Sequence, residues 1–437
     1  MKINSSYIPQ RFIIGYLIVT FLMYIFSPWN WPKNNLSAIL LFNSMIWLSI
    51  YLGFRRGFHS KFVARRQING PLYKTKLWNI SLFISILFIY PNFIVRFQED
   101  SISFANIYQR LLIAVSDLKE AYFTKAESEL KDTSVFSNIW IFIYTILGPL
   151  VYFVKFYGIY FWKKLYRYQR VVIALVIFTD ILAFVATGTN KGIFDYILNI
   201  PFFVVLYLQG KQKMNTISIS FKYVRNTLFL LLVGIVFFGM TYQSRTRDKA
   251  MLYNFITGKT ISYDTGLASV LPNSIVRGYL GLDFYITHPY NGLDTALDLE
   301  HNPTYGKAIA PVLTNIFRKF GVEPLDERIT YEYRIASNYS APVGTYWYTS
   351  FVSFANDFTF FGVPFLIFIL AYYFGNIWKD IIINRNMGAI PLLTQFVIMF
   401  FYLNANNQII GKGQVTVFIV LFIHWKMFQI VDNKKYT

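Results

Sequence analysis

The sequence predicts an all-α polytopic membrane protein with about ten transmembrane helices and one large loop on the outer side of the membrane. Of its 437 residues, 55% are hydrophobic and only 14% are charged. Soluble domains usually contain about 45–50% apolar and about 25% charged residues. Many apolar stretches are also about 20 residues long, which is the length of a helix that crosses a bilayer. These observations exclude an ordinary soluble enzyme, a disordered chain and a fibrous protein.

Ten candidate spans alternate with polar segments. They cover residues 11–29, 36–54, 77–95, 138–161, 171–187, 193–209, 227–243, 348–377, 389–404 and 414–430. Most are rich in Phe, Ile and Leu, with Tyr or Trp near their ends, as anchoring at the membrane interface predicts. The predicted organisation is three helices in 1–95, an outer segment in 96–137, four helices in 138–243, a large outer loop in 244–347 and three helices in 348–437.

The net charge of +19 is interpreted as an orientation signal. One set of alternate segments carries 22 of the 41 basic residues and only two acidic ones, Asp380 and Asp432. The positive-inside rule assigns this set, which includes both termini, to the cytoplasm. Because these charges lie in short loops beside spans, where they also meet membrane lipids, no nucleic-acid partner is predicted.

Two outer segments are longer than simple connections. In the first, apolar residues recur at helical spacing between 106 and 131, which predicts an amphipathic helix lying at the interface. The second, 244–347, contains ten basic and ten acidic residues together with many Tyr, Asn, Gly and Pro. Loops of this length are usually functional, so we expect the chemistry on the outer side.

Several familiar catalytic patterns are missing from the sequence. It contains no cysteine, which excludes thiol nucleophiles and cysteine-ligated metals, and no phosphate-binding glycine loop or dinucleotide fingerprint. The four histidines, His59, His288, His301 and His424, are scattered along the chain. Neither a metal site nor a cofactor is therefore predicted.

The outer loop contains three clusters in which arginine lies beside aromatic and acidic residues. The clusters comprise Tyr242, Arg245, Arg247, Asp248 and Lys249; Arg277, Tyr279, Asp283 and His288; and Arg328, Tyr331, Glu332, Tyr333 and Arg334. The guanidinium fork suits two-point binding of phosphate or carboxylate, and aromatic faces suit sugar rings. The alternative interpretation is that these arginines pair with neighbouring acids or with lipid phosphates.

Charged residues inside or beside spans are a further indication of function, because they are expensive in a membrane. Asp180 lies within the fifth span. Lys191, in the short turn that follows, stands four residues before Asp195, so the two can form an ion pair along a helix. The alternative is a simple hairpin with a lysine that reaches towards the interface. Asp357 lies in the first turns of the eighth span, as a candidate base or a partner for an arginine.

Three features make the chain resemble the Wzy-type O-antigen polymerases of Gram-negative bacteria. The first is the turn Gly-Thr-Asn-Lys-Gly at 188–192, where that family often has a Gly-Ser-Arg-Gly-like turn. The second is the outer loop, with Arg-Gly-Tyr-Leu-Gly at 277–281 and Pro-Thr-Tyr-Gly-Lys at 303–307. The third is Gly-Thr-Tyr-Trp at 344–347, which leads into Asn-Asp-Phe at 356–358. The resemblance extends over nearly the whole topology.

The resemblance implies a GT-C-like glycosyltransferase of the bacterial inner membrane, active in lipopolysaccharide biosynthesis without a metal. Such an enzyme moves a growing glycan from undecaprenyl pyrophosphate onto a new lipid-linked repeat unit at the periplasmic face. A chain-length regulator is an expected partner. The alternatives are an O-antigen ligase and a flippase, or transporter, for lipid-linked oligosaccharides.

The implied reaction assigns roles to particular residues. Negative charge develops on the leaving pyrophosphate, so preorganised cations are expected to hold it, and the attacking sugar hydroxyl needs a proton acceptor. The candidate pyrophosphate-binding residues are Arg245, Arg247, Arg277, Arg334 and Lys191. The candidate catalytic residues are Asp357, Glu332, Asp283 and His288, and the candidate sugar-binding residues are Tyr279, Tyr333 and Trp347.

Overall fold

The structure is a computed structural model and is mainly helical. It describes residues 2–60, 72–97, 103–117, 120–121, 124, 135–189, 191–210, 216–218, 225–226, 229, 251–254, 259–262, 273–308, 321, 323, 325–338, 348–405 and 414–433.

The helices of the first half are α1 (Ile8–Ile25), α2 (Leu36–His59), α3 (Lys76–Leu87), α4 (Ile89–Phe97), α5 (Phe104–Ser116), α6 (Val135–Phe161), α7 (Arg167–Ala186) and α8 (Lys191–Gly210). The helices of the second half are α9 (Asn273–Leu297), α10 (Tyr331–Asn338), α11 (Ser350–Ile382), α12 (Ile390–Phe401) and α13 (Gln414–Asn433). Four short strands are also described: β1 (Lys2–Asn4), β2 (Thr216–Ser218), β3 (Met251–Asn254) and β4 (Lys259–Ser262).

Six helical segments in the described residues are long and apolar enough to cross a membrane. They are Ser5–Ile25, Leu36–His59, Ile139–Lys164, Arg167–Ala186, Lys191–Gln209 and Ser350–Ile382. Each corresponds to a predicted span, which confirms a multi-pass membrane protein.

The predicted span at 77–95 is broken. Helices α3 and α4 meet at an angle of 52° and count as a seventh span only if they are taken together. Pro91 accounts for the break, because it lacks the N–H that would bond to the carbonyl of Leu87 in a continuous helix. The last two predicted spans correspond to the shorter apolar helices Met387–Phe401 and Gln414–Lys426. The predicted span at 227–243 lies outside the described residues except for residue 229. The expected total of ten spans therefore stays a prediction.

Helices α2 and α11 cross with their backbones in very close contact. A Cβ atom on Gly53 would lie 2.4 Å from the carbonyl oxygen of Phe368, and one on Gly57 would lie 1.9 Å from that of Tyr372. From the other side, a Cβ on Gly375 would lie 2.2 Å from the carbonyl oxygen of Phe54. This is the small-xxx-small arrangement that lets helix backbones touch inside a membrane. It fixes the part of α11 that follows a break at Thr359, where φ is +59°, and Asp357 lies just before that break.

The strand pairs are short and antiparallel. Lys2 of β1 pairs with Ser218 of β2, and Met251 of β3 pairs with Ser262 of β4. The first pair brings the N-terminal strand and the segment after α8 to the same end of the helix bundle. The predicted topology requires this, because it assigns both segments to one side of the membrane.

The two segments predicted to lie on the outer side contain more regular structure than their composition suggests. Helix α5 begins at Phe104, two residues before the predicted 106–131 helix, and ends at Ser116, where the backbone of Asp117 leaves the helical conformation. Ile107 and Ala114 of α5 are buried, whereas Phe104 and Val115 are more than four-fifths exposed. Within the 244–347 segment, α9 packs its Tyr290 against Thr20 of α1, with 3.1 Å between the two hydroxyl oxygens.

Candidate functional site

A cavity of about 350 Å³ lies inside the helix bundle, near the end where α4 and α7 finish and α8 and α13 begin. By the predicted topology this is the outer end. The polar and charged side chains that line it come from six helices and the turn after α7: Asn92, Arg96, Tyr144, Thr145, Tyr152, Lys155, Asp180, Thr187, Thr189, Lys191, Asp195, Tyr196, Gln395 and Gln414. The cavity reaches from Lys191 at the start of α8 down to Lys155 in the interior of the bundle.

Asp180 binds two cations in the wall of this cavity. Its Oδ1 accepts a hydrogen bond from Nη2 of Arg96 at 2.7 Å, and its Oδ2 accepts one from Nζ of Lys155 at 2.9 Å. The hydroxyl of Tyr196 donates a third bond to Oδ2 at 3.0 Å. Asp180 and Lys155 are only 5% and 7% exposed. A buried carboxylate that ties two cations together fixes both of them in place before any ligand arrives.

Arg96 is further oriented by its surroundings at the end of α4. Its Nε donates to Oδ1 of Asn92 at 3.2 Å, one helical turn earlier. Its guanidinium carbon lies 3.6 Å from the centre of the Phe184 ring, a cation–π contact. Gly192 makes room for that ring, because a Cβ atom there would lie 1.9 Å from a ring carbon. Gly192, which is part of the turn, therefore also leaves the space that the Phe184 ring occupies.

The ion pair predicted between Lys191 and Asp195 is confirmed. Nζ of Lys191 lies 2.8 Å from Oδ2 of Asp195, at the i, i+4 spacing expected in the first turns of a helix. The turn before it is held by Thr187, whose hydroxyl donates to the carbonyl of Phe184 at 2.9 Å. Gly188 adopts a φ of +62°, which an L side chain rarely tolerates.

Cations outnumber carboxylates around the cavity. Among the described residues that line the cavity, the cations Arg96, Lys155 and Lys191 outnumber the carboxylates Asp180 and Asp195 by one positive charge. An uncompensated charge inside a protein is costly. The arrangement therefore favours an anionic ligand that would complete the charge balance.

Two buried polar atoms in the cavity wall have no hydrogen-bond partner among the described residues: Oδ1 of Asp195 and Nε2 of Gln395. Gln395 is 1% exposed and lies near the Tyr152 hydroxyl without reaching hydrogen-bond geometry. Buried polar groups usually find partners, and an orphan needs an explanation. One acceptor and one donor in the same cavity are therefore open to a polar ligand.

The structure brings Asp357, Glu332 and Arg334 into one region at the start of α11. Asp357 accepts hydrogen bonds from the Thr304 hydroxyl and, at 2.7 Å, from the Gly306 amide. Glu332 accepts one from Nδ2 of Asn356 at 2.7 Å. The two acids thus hold a loop and a helix onto the start of α11.

Arg334 is placed differently, because it has no carboxylate partner among the described residues. Its Nη1 donates to the carbonyl of Glu300 at 2.7 Å, and its guanidinium lies 5.7 Å from the Tyr331 ring. Tyr333, on the same helix, is half-buried. A guanidinium bound only to a backbone carbonyl keeps its charge available to a ligand.

Asp283 and His288 lie apart from both regions, where α9 packs against the turn after α1. Asp283 is fully buried and accepts a hydrogen bond from the Ser27 hydroxyl at 2.6 Å. Burial raises its pKa to about 6, although the hydrogen bonds from Ser27 and Thr287 act in the opposite direction. Burial lowers the pKa of His288 to about 3, and its ring stacks on Phe284 with 5.1 Å between centres. A histidine with that pKa is a poor proton acceptor near neutral pH.

The remaining predicted residues have no described contacts that bear on their roles. Arg245, Arg247 and Trp347 lie outside the described residues, and so does the side chain of Arg277, whose backbone belongs to α9. Tyr279 is half-exposed on α9. The roles assigned to these residues stay predictions. In the part of the chain that the structure describes, no three His, Asp or Glu side chains are grouped to hold a metal ion.

Sequence reasoning missed Arg96, Lys155 and Gln395. Lys155 lies within a predicted span, so the rule that singled out Asp180 would also have found it. Arg96 stands one residue beyond a predicted span, where a basic residue is common at the end of a transmembrane helix and does not indicate a functional role. Gln395 gives no signal in the sequence, since an isolated glutamine in an apolar helix has no characteristic spacing.

Comparisons of this chain with protein-family models, with curated proteins and with solved structures find no match.

Proposed function

We propose that this protein is a glycosyltransferase that polymerises undecaprenyl-pyrophosphate-linked O-antigen repeat units at the periplasmic face of the bacterial inner membrane. The observation that carries the proposal is the excess of positive charge in the cavity at the predicted outer end of the bundle. Arg96, Lys155 and Lys191 supply it, and two of the three are already held in place by Asp180.

The cavity suits a pyrophosphate leaving group. When the bond between the sugar and the pyrophosphate breaks, negative charge grows on the departing oxygen. Cations that are fixed beforehand in a site of low polarity stabilise that charge with little reorganisation, and this is usually the largest electrostatic contribution to such catalysis. Because one carboxylate shares its charge between Arg96 and Lys155, each keeps part of its positive charge for a ligand.

The position of the cavity also suits lipid-linked substrates. Both substrates of the proposed reaction carry long isoprenoid tails, which stay in the membrane while the sugars remain in water. A cavity lined by the ends of membrane-spanning helices lies close to the depth of a lipid headgroup. The region around Arg334 and Tyr333 stands at the start of α11 and offers a cation and a half-buried tyrosine for the sugar chain.

The test is polymerisation by purified protein in lipid nanodiscs supplied with synthetic lipid-pyrophosphate repeat units. The wild-type protein is expected to form a ladder of glycans with and without a chelator. The Arg96→Ala variant is expected to lose about 10²–10³-fold in rate, the usual cost of one transition-state hydrogen-bond donor.

A matched control is Arg328→Ala, because Arg328 is also paired with an aspartate but its side chain is 76% exposed. This variant should keep the wild-type rate. Equal rates for the wild type and the Arg96→Ala variant, or the absence of any ladder, would contradict the proposal.

The buried ion pair also favours a second candidate, a transporter of lipid-linked oligosaccharides. The Lys155–Asp180 pair lies in the interior of the bundle, where charged residues often mark a substrate pathway. In proteoliposomes, a transporter would move a labelled lipid-linked oligosaccharide between leaflets without lengthening it. A polymerase would lengthen glycans whose lipids all remain in one leaflet.

A further inference from the structure

We propose that Asp195 and Gln395 form the subsite for the sugar hydroxyl that attacks in the transfer, and that Asp195 accepts its proton. This inference rests on the proposed glycosyl transfer and adds to it the residues that bind the acceptor. It assigns the proton to a carboxylate inside the cavity and not to the acids of the outer loop.

Asp195 is suited to this role by its unused oxygen. The residue is 8% exposed and lies one turn into α8. Its Oδ2 is bound to Lys191 at 2.8 Å, which keeps the carboxylate oriented. Its Oδ1 makes no hydrogen bond of good geometry in the described part of the chain, and the Tyr402 hydroxyl is the protein donor that lies near the carboxylate. A buried acceptor left unsatisfied is unfavourable, and a hydroxyl group that donates to Oδ1 would remove this penalty.

Asp180, the other carboxylate of the cavity, is already engaged. Three donors, from Arg96, Lys155 and Tyr196, occupy its two oxygens. A sugar hydroxyl would have to displace one of them. The two acids therefore have different roles in the proposed reaction. Asp180 fixes the cations that bind the leaving group, and Asp195 is the hydrogen-bond acceptor for the sugar hydroxyl.

Gln395 supplies the complementary donor. It lies on α12, which packs against α8, and its Nε2 has no hydrogen-bond partner among the described residues. Its neighbour Thr394 binds the Tyr152 hydroxyl at 2.9 Å, which helps to fix this part of α12 against α6. A hydroxyl both donates and accepts, so it can satisfy an acceptor at Asp195 and a donor at Gln395 together.

The chemical step balances without an added reagent. The acceptor hydroxyl passes its proton to Oδ1 of Asp195 while its oxygen forms a bond to the anomeric carbon of the donor glycan. The bond between that carbon and the pyrophosphate oxygen breaks, and its electron pair leaves with the lipid pyrophosphate. The released pyrophosphate, held by the cations, then exchanges with solvent or with the next lipid-linked substrate, and the proton on Asp195 returns to water.

The experiment compares wild-type protein with the Asp195→Asn variant in the nanodisc assay. Removing the proton acceptor is expected to lower kcat by about 10²–10⁴-fold, with little change in the KM for the donor lipid. The Asp195→Ala variant should regain part of its rate when formate is added, because a small carboxylate can occupy the vacated space. A merely structural role for Asp195 would give no such rescue.

The control for the broken ion pair is Lys191→Gln, which removes the same pair but keeps the carboxylate. Lys191→Gln is expected to raise the KM for the donor lipid. The fall of kcat at low pH, which reports protonation of Asp195, should persist in Lys191→Gln and disappear in Asp195→Asn. The titratable groups around Asp195 that could also shape the profile are Lys191, Asp180, Lys155, Tyr152 and Tyr402.

If Asp195→Asn does not fold, Gln395→Ala decides the question. It should raise the KM for the acceptor about tenfold without changing that for the donor, and an unchanged acceptor KM would overturn the subsite. A wild-type protein that forms no polymer would defeat the proposed function. A wild-type protein that polymerises alongside an equally fast Asp195→Asn variant would defeat the subsite alone.

Discussion

The carboxylates of the cavity and the two carboxylates at the start of α11 differ in what they bind. In the cavity, Asp180 and Asp195 bind lysine and arginine side chains, and one oxygen of Asp195 and the amide nitrogen of Gln395 find no hydrogen-bond partner among the described residues. At the start of α11, Asp357 binds a backbone amide and a threonine, and Glu332 of the neighbouring α10 binds an asparagine. The first arrangement organises charge for a ligand, and the second holds segments of the protein together. Residue type alone therefore does not distinguish a catalytic acid from a structural one.

The largest effect on stability is expected for Asp180→Ala. Removing one partner of a buried ion pair leaves an uncompensated charge, which costs about 3–5 kcal/mol. Here two cations, Arg96 and Lys155, would lose their shared partner. Chemical denaturation in detergent measures the loss. The double variant Asp180→Ala/Lys155→Ala should recover part of it, and a double variant less stable than the single one would contradict the charge argument.

A pH effect is expected at Asp283 in the outer loop. Its pKa in the folded protein is about 6, above the value of about 3.9 for an unfolded chain. A raised pKa means that its contribution to stability is fully present below about pH 4 and is lost as the pH rises through 6. Relative to wild type, Asp283→Asn should therefore gain about 2 kcal/mol between pH 4 and pH 8. Melting temperatures at the two pH values test this, and a constant difference between the two proteins would contradict it.

A smaller effect is expected for Asp357→Asn. The amide keeps an oxygen that accepts from the Gly306 amide but loses the negative charge, so the loss of stability should be about 1 kcal/mol. Hydrogen exchange of the backbone at 303–307 should become faster. Polymerisation should fall less than tenfold, because the acid acts on the loop and not on the substrate. A loss of 10²-fold or more with normal hydrogen exchange would return Asp357 to the list of catalytic acids.

The sequence predicted the parts of this molecule that depend on local spacing. Apolar stretches of span length located six helices of the described bundle. The Lys191–Asp195 pair followed from a four-residue spacing, and the cost of a charge in a membrane singled out Asp180. Such inferences succeed where the interacting residues belong to one helix, or where the feature follows from the membrane environment and not from contacts with distant residues.

The cavity could not be predicted, because it depends on contacts between distant helices. Arg96 and Asp180 are 84 positions apart, and Lys155 and Asp180 are 25 apart. Nothing in the separate helices specifies that their ends converge. The close crossing of α2 and α11 illustrates the difference: Gly53 and Gly57 stand four residues apart in the sequence, but only the structure identifies the helix that they contact.

The central claim, that the cavity holds a lipid pyrophosphate, is tested most directly by a structure of the protein with a non-hydrolysable lipid diphosphonate. We expect density for the two phosphonate groups within hydrogen-bond distance of Arg96 and Lys191. Density at Arg334, or elsewhere on the outer loop with the cavity empty, would contradict it.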